Sequence, residues 1–325
     1  MRNNCPAGSP LPTSIACERN KGHQVSKILY IINPASQGGS GTGAWEEFTA
    51  SWPDGADAGR TIVTERPGHA REIAATAEGH SIFAVVGGDG TVGEVMSEIM
   101  DRQEPRPSLA IIPAGTGNDI ARNIGINSVA DAVGALRGER SRAFDLVRVD
   151  RQVDGRSAHR HAFLFGIVGF SSVPMLKPWM KQLLGPAVAY YLATFLQFIV
   201  YRVPHMTIRV GEREISGRKW MVIVGNAEMS AGGSMCLAPG ACTDDGILNI
   251  TIITSQPKLK MLTRLLPKIA TGAHVHESDV DYFPGTRIEV DSTPPAIVDL
   301  DGDIYGTTPV TFTVCPRALQ IISPD

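Results

Sequence analysis

An α/β domain with a parallel sheet, followed by an antiparallel sheet or sandwich, is the fold class this sequence predicts. Three observations predict it. From Lys27 to Phe144, short β-branched runs alternate with Gly-rich turns and amphipathic stretches, which is the rhythm of βαβ units. After Phe144 the apolar runs succeed one another mostly without helical pattern between them, as antiparallel strands do. The chain has 325 residues, more than one hydrophobic core usually supports, so two domains are expected.

In the first half, strands are expected at Lys27–Ile32, Arg60–Thr64, Ile82–Val86 and Leu109–Ile112. Helices are expected at Thr42–Ala50, Pro67–Glu78, Thr91–Met100, Asp119–Asn123 and Val129–Leu136. Pro67 suits a first helical position, where its fixed φ helps and its missing N–H costs nothing. In the second half, strands are expected at Asp145–Val149, Ala162–Val168, Met206–Val210, Trp220–Val224, Ile247–Ile253, Arg287–Val290, Ala296–Leu300 and Val310–Val314. A basic helical insert, Pro257–Thr271, interrupts them. So does an apolar one: the twenty residues between Lys181 and Arg202 carry no formal charge, enough for a helix across a bilayer. Gly185-Pro186, Thr194 and Gln197 weigh against a span, leaving a buried structural helix or a helix lining an entry for an acyl chain. The domains read as 26–144 and 145–307, with 308–325 returning to complete the first, after a disordered tail at 1–25.

The balance of 43% hydrophobic and 19% charged residues, with a net charge of −3, is that of a globular protein. It does not favour nucleic acid, which calls for a basic face. Five cysteines without CxxC spacing support neither a disulfide framework nor a zinc cluster and suit a reducing cytoplasm. The alternating His274 and His276 lack partners at metal spacing and read as surface residues.

Three Gly-rich turns each follow a strand, which places them together at the carboxyl edge of a parallel sheet, where open α/β sheets bind ligands. They are Asn33-Pro34-Ala35-Ser36-Gln37-Gly38-Gly39, Gly87-Gly88-Asp89-Gly90-Thr91 and Pro113-Ala114-Gly115-Thr116-Gly117-Asn118-Asp119. Glycine lets backbone N–H groups approach phosphate oxygens, and helix starts add unpaired donors and positive dipole. Neither the P-loop pattern nor the dinucleotide fingerprint explains them. Farther on, Asp299, Asp301 and Asp303 alternate, so an extended strand would turn all three to one side, where like charges raise one another's pKa or recruit a cation; an acidic solvated turn at Gly302 is the alternative.

The series NPAS, GGDGTVGEV and IIPAGTGNDIARNIG resembles the catalytic domain of diacylglycerol and sphingosine kinases, above all the soluble bacterial lipid kinases of that superfamily. The likeness continues through Gly225-Asn226, Ala238-Pro239, Asp244-Asp245-Gly246-Ile247-Leu248 and Asp301-Gly302-Asp303. It implies a nucleotide-binding α/β domain joined to a β-sandwich substrate domain, with ATP and Mg2+ between them and a lipid hydroxyl as acceptor. Carried over, the nucleotide contacts fall on Asn33, Pro34, Ala35, Ser36, Thr64, Gly87, Gly88, Asp89, Gly90, Thr91, Val92, Gly93 and Thr116. Asp89 would act through magnesium or its waters, since a carboxylate beside phosphates needs a cation between. The family's base is the Glu of Asp-Gly-Glu; here Asp303 holds that position one methylene shorter, which leaves Asp301 as the other candidate. A structural magnesium is implied at Cys242, Asp245 and Ile247, through the Asp245 carboxylate and the other two carbonyls. The resemblance further implies a cytoplasmic enzyme of phospholipid metabolism, peripheral to the membrane, with homo-oligomerisation left open. Lys258, Lys260, Arg264 and Lys268 recur at roughly helical spacing, as a solvated basic face or one that meets anionic headgroups. A soluble-metabolite kinase like NAD kinase, or a lipid-binding regulator without catalysis, are the alternatives.

Overall fold

The computed structural model describes residues 27–153, 155–171, 178–184 and 186–324; the tail expected at 1–25 lies outside them. The first half is a four-stranded parallel sheet of β1 (Ile28–Ile32), β2 (Arg60–Val63), β3 (Ile82–Gly87) and β4 (Ser108–Pro113), in the order β2-β1-β3-β4. Every residue of β1 and β3 is buried, because helices cover both faces of the sheet and leave no position for a polar alternation. The helices are α1 (Ser40–Ser51), α2 (Pro53–Asp57), α3 (His69–Thr76), α4 (Asp89–Asp101), α5 (Asp119–Asn123) and α6 (Val129–Gly138). Contrary to expectation, α3 begins at His69 and not at Pro67. Gly68 precedes it at φ 80°, and the Glu94 carboxylate on α4 accepts the Gly68 and Arg71 amides, each at 3.3 Å. A carboxylate from a neighbouring helix thus caps α3, favoured there by the helix dipole.

The second half is an antiparallel β-sandwich. Its elements are β5 (Ser141–Val153), β6 (Arg156–Ala162), β7 (Phe165–Gly169), α7 (Pro178–Leu184), α8 (Pro186–Val200), β8 (His205–Val210) and β9 (Arg213–Gly225). There follow β10 (Met229–Ser230), β11 (Met235–Cys236), β12 (Leu248–Thr254), β13 (Val280–Gly285), β14 (Arg287–Thr293), β15 (Ile297–Leu300), β16 (Asp303–Thr307) and β17 (Val310–Ile322). One sheet runs β6-β5-β17-β14-β8-β9 and the other β13-β12-β9-β7-β15-β16. β9 turns the corner: residues 213–218 pair with β8, and 219–225 with β12 and β7. Val149, Ile208, Val222, Ile250, Ile288 and Phe312 meet in the core between the sheets. β17 runs beyond the sandwich, past a bulge at Cys315–Leu319, and Ile321 pairs in parallel with Leu109 of β4.

The strand expected at Ala162–Val168 is two strands, broken at Phe163–Leu164. β6, β13 and β16 escaped the pattern because RSAHRHA, VDYFPG and DIYGT lack a clean apolar alternation. The basic insert is a broken helix over 258–269, with a π turn at Met261–Leu265 and Pro267 in the turn after it. The apolar insert is a surface hairpin of α7 and α8 and not a buried helix. Phe198 and Tyr201 stack on Trp220 at ring separations of 5.4 Å each, which fastens one side of α8 to the sandwich, while Phe195, Leu196 and Ile199 face outward. Among the described residues, no helix is long and apolar enough to cross a membrane.

Candidate active site

The structure brings the three Gly-rich turns together. After β1, Asn33 donates from Nδ2 to Thr91 Oγ1 at 2.8 Å and accepts the Ala35 amide at 3.0 Å, so the first turn is bonded to the second. Ser40 Oγ donates to the carbonyls of Ser36 and Ala114 at 2.9 and 2.7 Å, bonding the first turn to the third. A Cβ on Gly88 would lie 3.0 Å from Gly115 Cα, so the second and third turns touch through bare backbone and any side chain there would part them. The Thr64 amide donates to the Ile32 carbonyl at 2.8 Å, which sets buried Thr64 beside the first turn. Pro34 is half-buried, Ala35 and Thr116 are exposed, and Gly87 at the end of β3 and Thr91 and Val92 in the first turn of α4 are buried. At Gly90 and Gly93 an added Cβ would meet nothing within 4 Å. The start of a 13-residue helix thus presents open backbone, with donors and dipole suited to an anion.

Two carboxylates stand beside this cradle. Asp89 accepts the Ile120 amide through Oδ1 at 2.9 Å. Buried Asp119 accepts the Gly232 and Gly233 amides through Oδ1 at 2.8 and 3.2 Å, so it ties the first half to the loop between β10 and β11. Their second oxygens converge: a Cβ on Gly117 would sit 3.2 Å from Asp89 Oδ2 and 3.1 Å from Asp119 Oδ2. Burial, and then the charge of Asp89, raises the Asp119 carboxyl above the usual carboxylate range. Paired hard oxygens under mutual repulsion fit a magnesium ion, which would relieve that repulsion. Asp119 lies in a turn the sequence singled out, yet its cross-cleft role was unreadable because Gly232 and Gly233 are more than a hundred residues away.

The acidic strand expected at 299–303 is a hairpin. Asp301 at φ 50° and Gly302 at φ 90° form its two-residue turn, the left-handed backbone a tight hairpin requires, so the three aspartates do not share a face. Asp299 is buried and accepts Ser171 Oγ at 2.8 Å and the Gly302 amide at 2.9 Å. Asp301 accepts three amides: Phe163 through Oδ2 at 2.8 Å, and Leu164 and Phe165 through Oδ1 at 2.9 Å each. Burial pushes its carboxyl up to about 6, against the opposing pull of those amides. Asp303 opens β16 with its side chain 63% exposed, and Oδ2 accepts Arg160 Nη2 at 3.1 Å. Arg160, on a strand the pattern missed, had no signal in the sequence.

A bonded path joins this hairpin to the cradle. The Leu164 carbonyl accepts the Asn226 and Ala227 amides at 2.9 and 3.1 Å, and the Met229 carbonyl, two residues on, accepts Asn123 Nδ2 on α5 at 2.9 Å. Asn226 Nδ2 donates to the carbonyls of Asp145 and Phe163 at 3.1 and 2.8 Å. A chain of hydrogen bonds thus runs from Leu164, which Asp301 holds, to α5 beside the cradle.

In the turn from Cys242 to Ile247, Cys242, Asp245 and Ile247 are exposed. Asp245 Oδ1 accepts the Ile247 amide at 2.9 Å, and buried Asp145 accepts the Gly246 amide through Oδ2 at 2.6 Å. No cluster of three or more His, Cys, Asp or Glu side chains is poised for a metal among the described residues; with Asp244 paired to Arg142, the Asp245 carboxylate and backbone carbonyls are the oxygen set this turn offers, and it suits a hard cation. The expected basic face is largely spent internally. Lys260 pairs with Asp279, and Lys268 and Arg264 with Glu277. His274 is fully buried and not a surface residue.

Fold and site define a class: a two-domain protein with three Gly-rich turns joined at the edge of a parallel sheet and an acidic hairpin in a β-sandwich. The sequence matches the diacylglycerol kinase catalytic domain over residues 27–149 and the YegS C-terminal NAD kinase beta sandwich-like domain over 179–323. It is 30% identical to a diacylglycerol kinase of Mycobacterium tuberculosis over 308 residues, covering 93% of this chain and 96% of that one. It is 29% identical to a "Probable lipid kinase YegS-like" of Pseudomonas aeruginosa over 306 residues, covering 92% and 94%. A crystal structure of a diacylglycerol kinase from Bacillus anthracis has the same fold, with a TM-score of 0.65 at 22% identity over 93% of this chain and 98% of that one. The chain belongs to the diacylglycerol kinase family.

Proposed function

We propose that this protein transfers the γ-phosphate of ATP to a lipid hydroxyl, that of diacylglycerol or a related lipid. The observation that carries the reading is the joined cradle: three turns bonded to one another, open backbone at Gly90 and Gly93, and the carboxylates of Asp89 and Asp119 converging on Gly117. Asn33, Pro34, Ala35, Ser36, Thr64, Gly87 to Gly93 and Thr116 hold the nucleotide on a half spanning 26–144, completed by 308–325; the half at 145–307 holds the lipid. Asp89 and Asp119 would hold magnesium, which would supply neutralisation of the phosphate charge. Asp303 is the proton acceptor, since it is exposed and one of its oxygens lies clear of Arg160. Asp301, with both oxygens engaged by amides, positions the hairpin. A second, structural magnesium belongs to the Cys242, Asp245 and Ile247 turn. The protein works in the cytoplasm at the membrane surface.

The test is incubation of purified protein with labelled ATP and separate panels of lipids and nucleotides. Label in a lipid product is the expected result. Label only in an NAD-type nucleotide would show a metabolite kinase, and no transfer to any acceptor would show a non-catalytic binder.

A further inference from the structure

The outer side of α8 and the adjoining 258–269 helix form one apolar surface. α8 has 15 residues and none charged; at about 1.5 Å per residue it is roughly 22 Å long, short of the 30 Å hydrocarbon core. Ala189, Ala193, Gln197 and Phe198 face the protein, and Phe195 and Ile199, 52% and 54% exposed, face out on the opposite side, the two sides of an amphipathic helix. Lys258 joins the second helix to the first, donating from Nζ to the Ile199 carbonyl at 2.6 Å and lying 6.0 Å from the Phe198 ring. That helix adds Leu259, 72% exposed, and Leu262. Exposed apolar side chains thus stand on two helices bonded to each other, unlike the single ones common on protein surfaces.

We infer that this surface seats the protein on a lipid bilayer, lying in the interface and not spanning it. Charge points to a bilayer of anionic lipid. Residues 178–202 and 256–274 contain no Asp or Glu and six Lys or Arg. Three of those cations turn back to Asp279 and Glu277, so the apolar side chains supply most of the attachment and the remaining cations bias it toward anionic headgroups. The surface gains its purpose from the lipid kinase reading, because an acceptor dissolved in a bilayer must be met there.

The experiment is flotation without nucleotide, using phosphatidylcholine vesicles with and without phosphatidylglycerol. Wild type should float with the anionic vesicles and keep most of its binding in about 0.5 M NaCl, where charges are screened within a few ångströms. The double variant Phe195→Glu, Ile199→Glu, and separately Leu259→Glu, should lower vesicle partition, the double variant by about tenfold or more. Both should melt like wild type and retain turnover of a dispersed short-chain diacylglycerol. Equal flotation of wild type and the double variant overturns the inference. So does a variant that turns a dimer into a monomer in light scattering without changing vesicle binding, which would make the surface an interface between copies. A protein that floats as expected but phosphorylates no lipid supports the surface and overturns the kinase reading; one that phosphorylates dispersed lipid but does not float does the reverse.

Discussion

Arg160 on β6 holds Asp303, the first residue of β16, by an ion pair of 3.1 Å between Nη2 and Oδ2. Two residues earlier in the same hairpin, Asp301 is held by three amides of 163–165. The two acids of one hairpin therefore differ in availability, one exposed and one committed to the backbone.

That difference sets the first prediction. Asp303→Asn should lower the chemical step by about 10²-fold or more, with ATP affinity close to wild type. Asp301→Asn should instead lower stability, because Nδ2 would replace an oxygen that accepts an amide. Single-turnover rates and urea midpoints on both variants separate the roles. Full activity in Asp303→Asn with none in folded Asp301→Asn would make Asp301 the base. Asp303→Glu reports whether the pocket still fits the longer acid.

The glycines divide by what a side chain would meet. Gly88→Val should abolish transfer and also destabilise, by about 1–3 kcal/mol, since its Cβ presses on Gly115 Cα. Gly90→Ala has open space and should fold normally while raising the KM for ATP. Unchanged KM in Gly90→Ala would move the phosphates elsewhere.

Asp119→Ala removes the acceptor for two amides of the facing loop. A cost of about 1–3 kcal/mol is expected, with faster protease cleavage near Ala231–Ser234 than in wild type. Equal cleavage rates would show that the loop is held by other contacts.

His161 supplies the pH dependence. Burial, then the charge of His159, lowers its imidazole from 6.5 to about 4, so the folded chain binds fewer protons there than the unfolded chain. Stability is complete above pH 6.5 and is lost as pH falls toward 4, by on the order of 3 kcal/mol. Denaturant midpoints at neutral and acid pH should converge less in wild type than in His161→Gln, which has nothing to titrate; equal acid sensitivity would assign the loss to other groups.

The sequence by itself determined the strands and most of the helices of the first half, and that its three Gly-rich turns share one sheet edge. Repeated β-branched runs and glycine turns are local signals, and a strand followed by a helix start is local geometry, so Gly87 to Gly93 could be placed from their neighbours alone. It also carried the family likeness. Only the tertiary structure decided how Asp299, Asp301 and Asp303 are used, because a left-handed turn at Asp301-Gly302 breaks the alternation that an extended strand would have kept. Arg160 with Asp303 and Asp119 with Gly232 are pairs more than a hundred residues apart, and no spacing rule reaches that far. The same holds for the basic helix, whose cations Glu277 and Asp279 neutralise, and for α8, whose uncharged sequence is equally suited to a buried position. Packing of Phe198 and Tyr201 on Trp220 chose which side of that helix meets the protein and which is left for something else.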